Sequence, residues 1–542
     1  MHEKADNEGV DLLLIDTGDK IEGNGLYDAS QPKGKYTLDI FAQQDIDVIC
    51  SGNHELYKNH SSYNEYDITV PNFKGNYLAS NIDIFDAKSG ERRPLAQRYK
   101  KFTTKNQGIR ILAFGFLYDF TGNSNNTVVQ SVEDTIKEKW FQEAIRDRDI
   151  DLFLVIGHVA LRSPEYASIF RAIREQQWDA PIQFFGGHTH IRDYAKYDKK
   201  AYALESGRYM ETIGFQSING LSTGGKVKNI VQHTANIASP TFARRYIDNN
   251  LFSFHHHTSL NETTFPTPHG RNVSTMISSA RKSLKLDKTY GCAPRDYWTN
   301  RAPFPNKNSI FSWLQEEVLP DMIQDPERSG KPRIVFTNTG ALRFDIFKGP
   351  FTVDTTYTVS PFTSGFRYIS DVPYSVAKRL LQILNQEVPQ LWPTSQSFAF
   401  KSPIPASQLH TSQLDSSFHQ SSEQQIPLSN PHSNGGNTDL TPGYTTTDDA
   451  GTTGDDTLHT PIRFYRVPNC LESRIDFPPT DTSAADPASV DLIYVDFIES
   501  YILLALKFLG TDYGVGDTGV YMEGRDLTGV IREWVQGNWE CE

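Results

Sequence analysis

Four apolar runs of this chain end in the same manner, and that repetition constrains the fold more than any other feature. Leu12-Leu13-Leu14-Ile15 leads into Asp16-Thr17-Gly18-Asp19, and Ile46-Asp47-Val48-Ile49-Cys50 leads into Ser51-Gly52-Asn53-His54-Glu55. Phe153-Leu154-Val155-Ile156 leads into Gly157-His158, and Ile182-Gln183-Phe184-Phe185 into Gly186-Gly187-His188-Thr189-His190. Short apolar runs closed by turn residues read as buried strands. Each of these ends in a small residue followed by a carboxylate, an amide or an imidazole. Any one of these histidines alone reads as an ordinary loop or core residue. Together they read as ligands gathered where strand ends share one edge of a sheet, with loops free to carry chemistry. Carboxylate, amide oxygen and imidazole suit a borderline divalent ion such as Zn, Mn or Fe better than Ca or a thiolate-preferring metal.

Helical segments alternate with these strands, so residues 1–235 read as an α/β layered domain. Residues 1–9, 35–43 and 163–177 read as helices. Residues 133–148, with Trp140, Phe141, Ala144 and Ile145 on one face, read as a single amphipathic helix. Residues 236–253 read as a connection to a second domain spanning 254–542. In an extended segment His255, His256 and His257 would point to alternating faces, which disfavours a shared ion. From 393 to 460 the composition turns to Ser, Gln, Thr, Asn, Gly, Pro and Asp, read as a disordered insertion. Asp448, Asp449, Asp455 and Asp456 within it do not follow an EF-hand spacing and read as a solvated acidic linker.

A length of 542 residues suits two domains, and a net charge of −13 argues against a general nucleic-acid binder. Small anionic substrates remain open, because bound metals supply local positive charge. No run of eighteen apolar residues marks a membrane span. The four cysteines are too few for a disulfide scaffold. Cys50 reads as a buried free thiol, and Cys292 and Cys470 could pair. Sequons stand at Asn59, Asn125, Asn261 and Asn272, for use only in a secretory compartment. No signal-like segment follows Met1. The expected compartment is secretory, secreted or vacuolar if the natural chain carries an upstream signal, and cytoplasmic if Met1 is its start.

The ordered set Asp19, Asn53-His54, His158 and His188-Thr189-His190 resembles the calcineurin-like metallophosphoesterases. Leu13-Leu14-Ile15-Asp16-Thr17-Gly18-Asp19 and Tyr77-Leu78-Ala79-Ser80-Asn81-Ile82 resemble their 5′-nucleotidase branch. That resemblance implies a four-layer α/β sandwich flanked by helices, with a smaller α/β C-terminal substrate-binding domain. It implies two divalent ions, with Asp19 bridging both, Asn53, His158 and His188 completing one, and His190 serving the other. His54 would be the catalytic histidine. The family's opening Asp-x-His motif is not in this sequence, so the second metal site is expected to be incomplete and the given start to lie within a longer chain. Where the branch carries an Asp to orient the catalytic histidine, this chain has Tyr57, so that orienter is expected to be missing.

In the second half, Asn338-Thr339-Gly340-Ala341-Leu342-Arg343 resembles the branch's substrate loop, with Asn338, Gly340 and Arg343 as substrate-binding residues. Glycine permits close backbone approach, and the Arg fork matches phosphate oxygens. Ser360-Pro361-Phe362-Thr363-Ser364 resembles its Pro-Phe-Gly-Asn turn, which makes Phe362 either a substrate-facing or a core aromatic. Residues 512–517 only loosely echo its base-stacking motif. The expected function is metal-dependent hydrolysis of a nucleotide-type phosphate ester. The alternatives are an impaired fragment or paralogue that binds nucleotide or a protein partner without turnover, and, more distantly, a Ser/Thr phosphatase.

Overall fold

The structure, a computed structural model, describes residues 1–221, 240–385, 440–449, 459–478 and 486–541. Its first half is a sandwich of two sheets. One has six strands in the order Arg192–Asp198, Ala201–Ser206, Ile182–Gly186, Leu152–His158, Arg110–Leu117, Tyr99–Thr103. The other has three short parallel strands, Ile15–Asp16, Val48–Cys50 and Tyr77–Leu78.

Side-chain alternation along the central strands explains the layering. Leu112, Phe114, Phe116, Phe153 and Val155 face helices, meeting Phe141, Ile145, Tyr166, Ile169 and Ile173. Ile111, Ala113, Leu154 and Ile156 face the other way and pack on Val48, Cys50 and Leu78 of the small sheet. That sheet's outer side is closed by Ile46, Ile49, Phe73 and Tyr77 with Phe41 and Val70. The result is four layers, helix–sheet–sheet–helix. Strands buried on both faces must be almost wholly apolar, which is how they read in the sequence.

Several expectations change. The helix read over 133–148 is two short ones, Val132–Thr135 and Lys139–Ala144, although Phe141, Ala144 and Ile145 are buried as read. The supposed connection contains a strand, Thr241–Asp248, paired antiparallel with Thr212–Asn219. His255, His256 and His257 lie in a helix, Leu251–Thr258, rather than in an extended segment. Helical residues one apart do not face each other, so the case against a shared ion stands on the helix instead.

The second half is built on a mixed five-stranded sheet in the order Cys470–Ile475, Arg333–Asn338, Ser489–Val495, Gly365–Pro373, Gly519–Asp526. The final helix, Leu527–Asn538, buries Val530, Ile531, Trp534 and Val535 in its core. Trp313, Trp534 and Trp539 meet there. The Cys292–Cys470 pairing is corrected: Cys292 is bonded to Cys541, while Cys470 and Cys50 are buried free thiols. Cys470 belongs to the central sheet, whereas Trp539, two residues before Cys541, stacks on Tyr297 just beyond the Cys292 strand.

Most of the stretch read as a disordered insertion lies outside the described residues, but 440–449 and 459–460 are placed, and against the first half. Leu440–Tyr444 pairs with Ile462–Tyr465. The Thr445 amide donates to the Arg192 carbonyl, and the Asp449 amide to that of Arg244. Asp448 is not solvated linker: its carboxylate accepts from the Tyr246 amide and meets Nδ1 of buried His459 at 2.8 Å, while His459 Nε2 meets Asp248 at 2.8 Å. Asp449 pairs with Arg244 at 3.0 Å.

Candidate metal centre and adjoining cleft

Two backbone loops bring Asp19 and Asn53 together, and glycine makes the approach possible. A Cβ on Gly52 would fall 2.1 Å from Asp19 Oδ1, and one on Gly18 would fall 2.2 Å from the Gly52 nitrogen. Gly18 also has φ +89, in the left-handed region. Glu55 ties the two loops, its carboxylate accepting from the Asp19, Lys20 and Gly52 amides at 3.0, 2.8 and 2.8 Å. Beneath it the Lys20 ammonium lies between Glu55 and Glu65, all three side chains almost fully buried.

Asp19, His158 and His188 present ligand atoms all within 4.8 Å of one another, the one such group of carboxylates, imidazoles or thiols among the described residues. His158 Nδ1 lies 3.0 Å from the Thr17 carbonyl, which fixes that nitrogen as the N–H. Its Nε2 is buried and faces Asp19 Oδ2 at 2.8 Å. Asn53 Nδ2 donates to the Tyr57 hydroxyl at 3.1 Å, and Asn53 Oδ1 is buried with no hydrogen-bond partner. A buried amide oxygen without a partner is costly unless something binds it. A divalent ion fits this donor set.

Charge is arranged to match. Burial pushes the Asp19 carboxyl up, but His158 and His54 outweigh it and hold it well below the usual range. Burial, with His158 adding to it, lowers His188 to about 3, and burial with Arg343 and Arg208 lowers His190 well below the ordinary value. Both shifts favour the neutral imidazole, the form that binds metal. Asp19, Glu22, His188 and His190 all have φ between 62 and 80. Non-glycine residues in that region are strained by about 1–3 kcal/mol each, and such strain concentrates at functional sites.

His54 stands beside this group, its Nε2 3.8 Å from Asp19 Oδ2 and its backbone amide donating to Asp19 Oδ1 at 2.9 Å. The expectation that it lacks an orienting carboxylate is corrected. Glu22 Oε2 lies 2.7 Å from His54 Nδ1, with the Glu22 side chain 6% exposed. Burial lowers the His54 pKa, but Asp19 and Glu22 outweigh it and raise it above the usual value. Tyr57, at the position where the carboxylate was expected, instead holds the Asn53 amide. No spacing in the sequence pointed to Glu22, which sits three residues past the Gly-Asp turn and 32 residues before His54.

From the second half, Arg343 reaches across the cleft, with Nη2 3.5 Å from His190 Nε2. Phe362 lies between the halves, its ring 5.8 Å from that of His54 and stacked at 21°, and 5.8 Å from the Arg343 guanidinium. It faces the cleft rather than the core. Asn338 and Gly340 are buried in the turn Thr339–Ala341 and its approach, which carries Arg343 forward. The structure thus gathers Asp19, Asn53, His54, His158 and His188. His190 stands outside the group of mutually close ligand atoms, against Arg343 and the Tyr209 ring, and Asn338 and Gly340 lie behind Arg343.

Residues 1–192 match the calcineurin-like phosphoesterase family model, and residues 296–503 match that of the NAD nucleotidase C-terminal domain. A crystal structure of 5′-nucleotidase from Candida albicans is 35% identical, covers 99% of this chain and 91% of its own, and has a TM-score of 0.80. This chain belongs to the calcineurin-like phosphoesterases, with 5′-nucleotidase architecture. It is a hydrolase of that two-domain kind. An uncharacterized protein of Schizosaccharomyces pombe is 36% identical over 560 residues, 99% of this chain and 86% of that protein. A protein of Arthroderma benhamiae named as secreted is 36% identical over 577 residues, 100% of this chain and 85% of that protein. The 5′-nucleotidase precursor of Thermus thermophilus shares the fold, with TM-score 0.57 at 12% identity over 100% of this chain and 90% of that one. Calcineurin-like phosphoesterases generally use divalent metals, and no described helix is long and apolar enough to cross a membrane.

Proposed function

We propose that this chain hydrolyses a nucleotide-type phosphate ester with the help of divalent metal. The observation that carries this reading is the buried, unpartnered Asn53 Oδ1 beside the close group of Asp19, His158 and His188, with an arginine from the other half at the cleft. Asp19, Asn53, His158 and His188 would hold one ion, for which the donors fit Zn, Mn or Fe. A second ion would rest on Asp19 and His190. Bound ions of this kind neutralise phosphoryl oxygens and lower the pKa of a bound water.

The chain's own groups would do the rest. Arg343 presents a planar fork to phosphoryl oxygens from across the cleft. His54, with Glu22 behind its Nδ1, would donate from Nε2 to the leaving oxygen. Phe362 would line the cleft beside the leaving group, and the turn holding Asn338 and Gly340 would set the reach of Arg343. The Arthroderma relative's name supports a secretory setting, which would also give the Cys292–Cys541 bond an oxidising compartment.

The test is inorganic phosphate release from AMP, from a dinucleotide cofactor and from a phosphopeptide, with Zn, Mn or Fe added in turn and Asp19→Ala as control. Release from at least one nucleotide, lost in the control together with bound metal, is expected. Nucleotide binding without release from any ester would favour the non-hydrolysing alternative, and release from the phosphopeptide alone would make this a protein phosphatase.

A further inference from the structure

Glu22 has no counterpart among the motifs that identify this chain, yet it is the side chain placed most directly on His54. It follows the Gly-Asp turn on a backbone at φ 65 and projects its carboxylate into the buried site. Among the described residues its hydrogen-bond partner is His54 Nδ1, at 2.7 Å. The imidazole is fixed on three sides: by Glu22 at Nδ1, by the Phe362 ring stacked on one face, and by the Tyr57 ring edge-on at 5.2 Å. Only the Nε2 edge, turned toward Asp19, is left to meet a substrate.

Resting on the hydrolase reading above, the geometry points to Glu22 as the positioning residue of His54, accepting from Nδ1–H of the imidazolium and aiming its Nε2–H at the leaving oxygen. A carboxylate behind an imidazole selects the tautomer, orients the ring and stabilises the imidazolium. No bond to substrate forms at Glu22, and the proton delivered to the leaving oxygen comes from His54 Nε2. The chain thereby fulfils with a loop glutamate the task that Tyr57, occupied with the Asn53 amide, cannot perform.

The consequence is selective. An alkoxide leaving group, such as the 5′-oxygen of a nucleoside, needs protonation as the bond breaks, whereas a 4-nitrophenolate hardly does. Orienting partners of this kind are worth about 10–100-fold. Glu22→Gln, nearly isosteric and neutral, is therefore expected to lower kcat on AMP about 10–100-fold. Its kcat on 4-nitrophenyl phosphate should stay within roughly 3-fold, because little proton donation is needed there. KM for both and metal content per chain should be unchanged. In a His54→Asn background the same substitution should add nothing further. Equal losses on both esters, or loss of bound metal, would make Glu22 a merely structural residue and overturn the inference, as would a wild-type kcat on AMP.

A second readout separates this inference from the hydrolase reading. With isotope-labelled histidine, the His54 Nδ1 proton should resonate far downfield in the wild type and shift in Glu22→Gln, whether or not any ester is cleaved. An unshifted signal would refute the pairing. A shifted signal in a protein that releases no phosphate would leave the pairing standing and sink the hydrolase reading.

Discussion

Replacing Lys20 with methionine tests how the loops carrying Asp19 and Asn53 are held. Lys20 is 3% exposed and lies between Glu55, at 3.4 Å and 0% exposed, and Glu65, at 2% exposed. The Tyr77 hydroxyl also donates to Glu65, and the ammonium sits 5.7 Å from the Phe41 and Tyr77 rings. Burial lowers the Lys20 pKa, but Glu55, Glu65 and Asp16 outweigh it and leave it raised. Methionine keeps most of the length and none of the charge, stranding two buried carboxylates. Removing one partner of a buried ion pair costs about 3–5 kcal/mol. At 2–4 °C per kcal/mol for a domain of this size, the calorimetric transition of the first half should fall by about 6–20 °C. Calorimetry is the right assay, because a two-domain chain need not unfold in one step.

The pH dependence of that deficit has a definite sign. Burial already raises the Glu65 pKa, with Lys20 opposing it, so removing Lys20 raises it further. A carboxyl whose folded pKa exceeds its unfolded one binds a proton more tightly in the folded state. The deficit should therefore be largest above that folded pKa and shrink as pH falls through it. A fall of under about 2 °C at pH 7.5, less than 1 kcal/mol on the same scale, would refute the reasoning. A deficit that grows as pH falls would do so as well.

Two further outcomes follow from the second half and its strap. At His459 burial lowers the pKa, but Asp448 and Asp248 outweigh it, against an opposing effect of Arg192, and hold it raised; Arg245 also acts on Asp448. Its stabilisation is then full below the unfolded histidine pKa and is lost as pH rises through the folded one. The thermal gap between wild type and His459→Asn should be wider at pH 5.5 than at pH 8.5; a gap that widens with pH would contradict the pairing. For the Cys292–Cys541 bond, alkylation of denatured chain should label two cysteines without reductant and four with it. Cys541→Ser should cost about 3–5 kcal/mol, since the bond closes a very long loop. Four labels without reductant would refute the bond.

Much of the metal site is legible in the sequence, because a strand that must be buried is written as an apolar run and its end as a small residue followed by a ligand. Asp19, Asn53, His158 and His188 are read this way, and in the structure alternation along 111–116 and 152–156 sets which side chains face which layer. Glu22, Lys20 with Glu65, and the pairing of Cys292 with Cys541 are different. Each depends on which distant loop comes to rest against which, and nothing in local pattern encodes that. Polar composition marked 393–460 as a segment without a core of its own. It did not show that 440–449 would satisfy its backbone and carboxylates on Arg192, Arg244 and Tyr246. The sequence by itself therefore determined the buried strands and offered candidate metal donors at their ends, since burial and turn geometry act through near neighbours. Only the tertiary structure decided which carboxylate aims His54 and what Tyr57 holds, because hydrogen-bond partners are chosen by proximity in space.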